Sequence, residues 1–293
     1  MARLAVLTAR PDLPIYGELA VAARHAGHEF ETLDALRLVA CAAPPCVLRD
    51  GAPLPPARFA AVLPRVGNFR PDSVLAVLHA FTAAGVPSLN DPAAIRRGRD
   101  HWRTAAALAA AGLPHPDTLA ASEPDALAEA VTATFGFPCV VKQRHSRMGI
   151  GVVRCSSRAE LEAVLDSLWR VGDEVVVQRF CPPGGVSRRV LVLDDEVLGM
   201  AEHRAAAGEF RANAARGGAV TVADLDPAQA ELAVAAASVV GLDFAGVDLL
   251  PDSGRWVVGE VNPTPGWKHF GAATGVPVGD LLIAALARRG STA

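Results

Sequence analysis

Between Arg3 and Asn90, apolar runs of strand length alternate with longer segments of helical periodicity. RLAVLTAR, HEFETLDA and FAAVLPRVG read as strands, IYGELAVAARHAG and PDSVLAVLHAFTAAG as helices, and VPSLN follows. A chain that alternates in this way closes into an open, mostly parallel α/β domain, with its helices packed on the sheet. Pro71 stands at a helix start and glycines follow the helix ends, where termini favour them. No G-x-G-x-x-G follows the first strand, so the dinucleotide fingerprint is missing.

Three segments are expected. Residues 1–91 form the N-terminal α/β domain, 92–178 a connecting helix and central lobe, and 179–293 a C-terminal lobe. One long helix is predicted from Pro92 to Ala111, running into the proline-spaced LPHPDT, the sharpest boundary in the chain. The central lobe then reads as helix EPDALAEAVTATFG, strand PCVVK, loop QRHSRMGIG, strand VVRCS, a helix opened by Ser157 and Glu160 at capping-box spacing, and strand EVVVQRF. After CPPGG come antiparallel strands in RRVLVLDDEVLGMAEHR, turned at Asp194 and Asp195, then a loop rich in glycine and arginine. Helix DPAQAELAVAAASVVG, strand FAGVDLL, strand RWVVGEVN and helix VGDLLIAALARR complete the chain.

The 293 residues are enough for a large core, and 51% hydrophobic with 20% charged residues excludes disorder. A net charge of -3 gives no reason to expect nucleic acid or a membrane as partner. The N-terminal apolar run is too short for a signal peptide and LAVAAASVVGL too short for a membrane span, so a cytoplasmic protein is expected. Cys41, Cys46, Cys139, Cys155 and Cys181 lack ligand spacing and are expected to be inert reduced thiols. Of the 28 lysines and arginines, only Lys142 and Lys268 are lysine. A chain that uses arginine so freely keeps lysine where a compact ammonium is needed.

Glu260 interrupts an apolar strand and Asn262 follows two residues later, so both side chains project from one face. Pro263, Pro265 and Gly266 stop the strand there. The short PDSGR turn joins this strand to the one carrying Asp248, so a hairpin would gather Asp248, Glu260 and Asn262 on one face. Three hard oxygen donors suit Mg²⁺, which keeps its other positions for water and phosphate. Lys142 ends a second apolar strand, and the loop after it closes with Gly149 and Gly151, glycines that let a backbone approach a polyphosphate. AGEFRANAARGG adds Arg211 and Asn213, with Arg204 just ahead.

The order of these pieces resembles the ATP-grasp superfamily, specifically the RimK-like carboxylate–amine ligases (alpha-L-glutamate type): a lysine strand and glycine loop, V-Q-x-F, an arginine strand, F-R-x-N-x-x-R-G-G, a V-D strand and E-V-N-x-x-P-G. The resemblance covers residues 88 to 285 well and the N-terminal part loosely. It implies an ATP-grasp fold preceded by a parallel pre-ATP-grasp domain. It also implies ATP with Mg²⁺ (two ions, Mn²⁺ an alternative) and activation of a carboxylate as its acyl phosphate. An amine then displaces phosphate, leaving ADP and phosphate as by-products. A small-molecule or peptide carboxylate acceptor and an amino donor such as glutamate would be the partners, with a homo-oligomer, dimer or tetramer, compatible.

Residue by residue, the resemblance makes Asp248, Glu260 and Asn262 the metal ligands and puts Lys142 on the α/β-phosphates. Ser146, Arg147, Met148, Gly149 and Gly151 would close over the triphosphate, and Gln178, Arg179 and Phe180 would be the adenine hinge. Arg189, Arg204, Arg211 and Asn213 would hold the γ-phosphate and the acceptor carboxylate, with Trp267 and Lys268 placed to touch that acceptor. Three nucleotide-side positions depart from the pattern: His101 stands where relatives carry lysine, Arg179 where they carry a carboxylate, and Ser187 where a ribose-binding aspartate is expected. Two other functions compete. One is a dipeptide or D-alanine ligase type, which changes only the substrates; the other is a catalytically silent ATP-binding regulatory module.

Overall fold

The computed structural model describes residues 1–145, 151–212, 218–224 and 226–292. The chain divides into two compact units, one of residues 1–95 with 264–293, the other of residues 96–263.

In the first unit β1 (Arg3–Thr8), α1 (Ile15–His25) and β2 (Glu29–Asp34) form a strand–helix–strand crossover. A separate antiparallel sheet of β3 (Leu38–Ala42), β4 (Pro45–Arg49) and β5 (Ala52–Pro53) follows, then β6 (Ala61–Arg65) and α2 (Pro71–Ala83). The main sheet is parallel in the order β2-β1-β6. Its central strand reads as a continuous apolar run because Leu4 through Leu7 are buried on both faces. The sequence patterns do not predict this small sheet, and it changes the expectation for the cysteines. Cys41 and Cys46 face each other across β3 and β4 and are disulfide-bonded. A five-residue separation hid a pairing that only the hairpin creates. Cys139, Cys155 and Cys181 are free and buried.

The predicted helix from Pro92 to Ala111 is two helices, α3 (Pro92–Gly98) and α4 (His101–Ala110). Asp100 breaks it: its backbone is extended, and its carboxylate accepts the N–H groups of Trp102 and Arg103 to cap α4.

The second unit continues with β7 (Thr118–Leu119), α5 (Pro124–Thr134), β8 (Cys139–Gln143), β9 (Val152–Cys155), α6 (Arg158–Trp169) and β10 (Val175–Arg179). These make an antiparallel sheet in the order β7-β10-β8-β9. Leu127 and Val131 of α5 and Leu161 and Leu165 of α6 pack on Val141 and Val177 in one core. Ser157 accepts the Glu160 N–H and Glu160 accepts that of Ser156, so the expected cap at the start of α6 forms.

Next come β11 (Val186–Leu193), β12 (Glu196–Arg204), β13 (Ala219–Val222), α7 (Pro227–Val240), β14 (Phe244–Asp252) and β15 (Arg255–Asn262). They form a second antiparallel sheet, β13-β12-β11-β14-β15, with α7 packed against it. Asp194 and Asp195 turn β11 into β12 with φ of 51° and 63°, the left-handed pair a tight hairpin requires. The chain ends with α8 (Lys268–Thr274) and α9 (Val278–Thr292). Helix α9 packs on α1, β1 and β6, so the C-terminal residues rejoin the first unit and not the lobe that precedes them. Among the described residues no single helix is long and apolar enough to cross a membrane.

Candidate active site

Strands β14 and β15 pair so that Asp248 lies directly opposite Glu260, and Gly246 opposite Asn262. The register shifts immediately after Asp248, a bulge that ends the regular ladder beside the two carboxylates. Glu260 and Asn262 share a face by strand alternation, so the hairpin carries three oxygen-bearing side chains in one neighbourhood.

Arg189 of β11 is the register partner of Asp248 on its other side. Its guanidinium grips that carboxylate with two bonds, Nε to Oδ1 at 2.7 Å and Nη2 to Oδ2 at 2.6 Å. Burial works against the charge of Arg189, yet the attraction of Asp248, its hydrogen bonds and the charge of Glu260 together hold the guanidinium above its ordinary pKa.

Lys142 reaches the same region from β8. Its ammonium lies 3.5 Å from the carbonyl oxygen of Gly259, the residue before Glu260. Burial lowers its pKa, and the charges of Glu260, Cys181 and Asp248 oppose that fall. A half-buried cation therefore faces a carboxylate-lined hairpin, where partial removal from water strengthens the effect of each added charge.

Gly151, at φ +68°, closes the loop after β8. A Cβ there would fall 2.0 Å from Oε1 of Gln143, so any other residue would be strained by the backbone and would have to displace the Gln143 side chain. Ser146, Arg147, Met148 and Gly149 of that loop lie outside the described residues, as does Asn213.

On the nucleotide side of the expected site, Gln178 is buried and donates to the Thr118 hydroxyl at 2.9 Å. Ser187 is buried in β11 opposite His203. Phe180 packs edge-to-face with Phe210 at 6.4 Å, and Arg154 covers its ring at 4.5 Å. Arg179 is held by two carboxylates. Its Nε donates to Asp117 at 3.0 Å, while Nη1 and Nη2 donate to Asp252 at 3.1 and 2.7 Å. Asp252 is 2% exposed, and its hydrogen bonds to Arg179 pull its pKa below the ordinary value against the effect of burial. His101 opens α4, where its backbone N–H donates to the Arg144 carbonyl at 3.0 Å. Arg144 itself is taken by Asp100 and Glu174.

Arg211 pairs with Glu209, Nη2 to Oε2 at 2.6 Å, and donates from Nη1 to the Val152 carbonyl at 3.1 Å. The side-chain bond to Arg211 brings the Glu209 carboxyl down to about 2. Arg204 is exposed and pairs with Glu202. Trp267 and Lys268 belong to the first unit, Trp267 buried and Lys268 exposed.

Asp100, Asp117 and Asp252 escaped the sequence reading. Asp117 lies in the segment read as a linker, Asp252 in the segment read as a turn and Asp100 inside the helix predicted from Pro92 to Ala111, and only the fold brings them to the arginines they hold.

A family model described as the RimK-like ATP-grasp domain matches residues 98–286, and one described as the RimK PreATP-grasp domain matches residues 2–95. The chain is 34% identical over 291 residues to a Pseudomonas aeruginosa protein named "Probable alpha-L-glutamate ligase", covering 98% of this chain and 96% of that one. A Marinomonas protein of the same name is 32% identical over 284 residues, covering 96% and 94%. Among solved structures, the ATP-grasp ligase PsnB complexed with a minimal precursor superposes with a TM-score of 0.75 at 22% identity, covering 99% of this chain and 98% of that one. The D-alanine–D-alanine ligase of Bacillus anthracis complexed with ATP gives 0.72 at 16% identity, covering 100% and 98%. At these identities the two structures speak for the fold.

Proposed function

The chain belongs to the RimK-like ATP-grasp family, and from that premise we propose that it joins glutamate to a partner substrate through an acyl phosphate. It is an ATP-dependent carboxylate–amine ligase, and ATP and Mg²⁺ serve the reaction. Glutamate is the substrate we assign because the curated relatives are named for it. A reaction that draws on ATP suits the cytoplasm, the compartment we propose.

Asp248, Glu260 and Asn262 fit Mg²⁺ by the chemistry of their donors. All three offer oxygen, and each Asp248 oxygen that accepts from Arg189 keeps a second lone pair. Bound there, Mg²⁺, two ions in our reading with Mn²⁺ able to replace it, would neutralise charge on the polyphosphate.

The chain's own residues do the rest. Lys142 meets the α/β-phosphates as a compact cation. Gly151, with its neighbours Ser146 to Gly149, gives the triphosphate a close backbone approach. Backbone groups of Gln178 to Phe180 hold the adenine edge; the Arg179 side chain is engaged by Asp117 and Asp252, and takes no nucleotide contact in this scheme. Arg189, Arg204, Arg211 and Asn213 steady the γ-phosphoryl group and the carboxylate. An oxygen of that carboxylate attacks the γ-phosphorus as ADP leaves. The amine then attacks the acyl carbon and phosphate departs, the nitrogen losing a proton as the amide forms. Positioning and electrostatics carry most of the rate in such a transfer.

The observation that supports this reading most is the β14–β15 register, which sets Asp248 against Glu260 within reach of the Arg189 and Lys142 cations. Oxygen-18 in the substrate carboxylate is expected in the released phosphate, with ADP as co-product. AMP and pyrophosphate would show adenylation and refute the acyl phosphate.

A further inference from the structure

The first unit contains a cation with which no carboxylate among the described residues pairs. Arg65 ends β6, and its register partner at the end of β1 is Thr8. In the sheet order β2-β1-β6 the chain departs to opposite sides of β1, so the ends of β1 and β6 flank the switch point of an open parallel sheet. Ligands of such sheets bind outside the carboxyl ends of the strands at that point.

The surroundings of Arg65 are ordered and polar. Its Nη2 donates to the Pro265 carbonyl at 2.8 Å, and its guanidinium carbon lies 4.6 Å above the centre of the buried Trp267 ring. The buried Tyr16 hydroxyl lies 3.0 Å from the Thr8 hydroxyl, which also accepts the Arg10 N–H at 3.1 Å. Burial brings the Arg65 guanidinium down to about 10, with Tyr16 supporting its charge, so the group remains cationic at neutral pH. No carboxylate of the described residues pairs with it; Asp12, on the loop after β1, is paired with Arg10.

A guanidinium has five N–H donors, and the bonds to the Pro265 carbonyl and to Tyr16 leave others available. The indole and the carbonyl fix the plane of the fork, so little rotamer freedom remains to be lost when an anion arrives. The loop that follows contains Arg70 at φ +44°, a left-handed backbone strained for a side chain of that size, and Phe69 with 56% of its surface exposed. Strain of that kind collects at ligand sites.

We infer that Arg65, held on Trp267 and Pro265 at the mouth of β1 and β6, binds a carboxylate of the ligase's amino-acid or peptide substrate. The inference rests on the ligase reading for the identity of the ligand and on the first unit alone for the site. Trp267 is then the platform that orients the arginine, and Arg65 is a specificity-determining residue. Carboxylate recognition at this point favours acidic substrates over their amides, because a neutral amide leaves the guanidinium without a counter-charge.

The test uses the full chain with Mg²⁺ and a non-hydrolysable ATP analogue, with indole fluorescence as the signal. L-Glutamate, glutarate and the neutral glutaramide are titrated into the wild type, Arg65→Lys and Arg65→Gln. The wild type is expected to show saturable changes with the two carboxylates and none with glutaramide. Arg65→Gln should weaken carboxylate binding about tenfold or more, and Arg65→Lys should fall between, since it keeps the charge and loses the fork. Equal affinity in wild type and Arg65→Gln, or no saturable carboxylate binding by the wild type, overturns the assignment. Should Arg65→Gln fail to fold, Arg65→Lys decides: unchanged affinity overturns the planar fork as the recognition element. ADP formation separates the two readings. Glutamate-dependent ADP release with an unchanged KM in Arg65→Gln removes the site and keeps the ligase. Carboxylate binding that depends on Arg65, without glutamate-dependent ADP release, keeps the site and removes glutamate as the ligase's substrate.

Discussion

Lys142 sits half-buried between opposing electrostatic influences. Burial lowers its pKa and the charges of Glu260 and Asp248 resist that fall, so the ammonium sits in a field that a phosphate group would strengthen further. Two consequences can be measured. Lys142→Arg should bind ATP almost as poorly as Lys142→Ala, because the planar guanidinium is broader than the ammonium beside Gly259. The pH dependence has a definite sign: the free enzyme's lysine loses its proton below the ordinary 10.5, so nucleotide affinity should fall as alkaline pH passes through that lowered value. Titration calorimetry across pH, with the wild type and both variants, checks both; near-normal binding by the Arg variant would mean that position 142 needs only a positive charge. Scarcity of lysine pointed to this residue in the sequence. Nothing there pointed to the Arg189–Asp248 pair, because its partners lie 59 positions apart and meet only through strand register.

The strand β10 ends with an arginine where the family resemblance leads one to expect a carboxylate, and its neighbours show how that arginine is held. Arg179 links Asp117, just ahead of β7, to Asp252 at the end of β14, and so ties three elements together. A carboxylate at this position should therefore do harm. Arg179→Glu would set a third carboxylate beside Asp117 and the almost fully buried Asp252, and breaking a buried ion pair in this way costs about 3–5 kcal/mol. The partial exposure of Arg179 places the expected loss toward the lower end, about 3 kcal/mol. Chemical denaturation should register it as a lower midpoint, and recovery in Arg179→Glu with Asp252→Asn would assign the loss to charge. An unchanged midpoint for the single variant would show the clamp to be idle. Elements with strong periodicity, such as α5, α7 and β8, were legible in the sequence because their own residues specify them. The break at Asp100 and the β3–β4–β5 sheet were not, since the one depends on capping geometry and the other on short pairings that local patterns do not reveal.

On the scale of the whole chain, the parallel sheet, the strands of the two larger antiparallel sheets and the Asp248–Glu260 hairpin follow from patterns readable along the sequence, but the grouping of the final helices does not. An amphipathic segment such as α9 announces that one face will be covered and is silent about what covers it. In the structure the cover is the first unit, with Leu282, Ile283 and Leu286 buried and α9 lying along α1 and β6. Gly290 marks how closely that helix approaches: an added Cβ would fall 2.6 Å from the Ala60 Cβ and 3.0 Å from the Ala60 backbone carbonyl. Two effects compete in Gly290→Ala. Helix propensity alone would stabilise it by about 0.8–1 kcal/mol, whereas overpacking costs about 1–3 kcal/mol. The overlap is with backbone as well as with a methyl group, so relief requires the end of α9 to shift, and the net effect should be destabilising. Thermal unfolding is expected to show a lower midpoint for Gly290→Ala, with ATP and Mg²⁺ still stabilising the variant because the residues proposed to hold the nucleotide belong to the second unit. A raised midpoint would show that the end of α9 yields freely and that helix propensity decides the outcome.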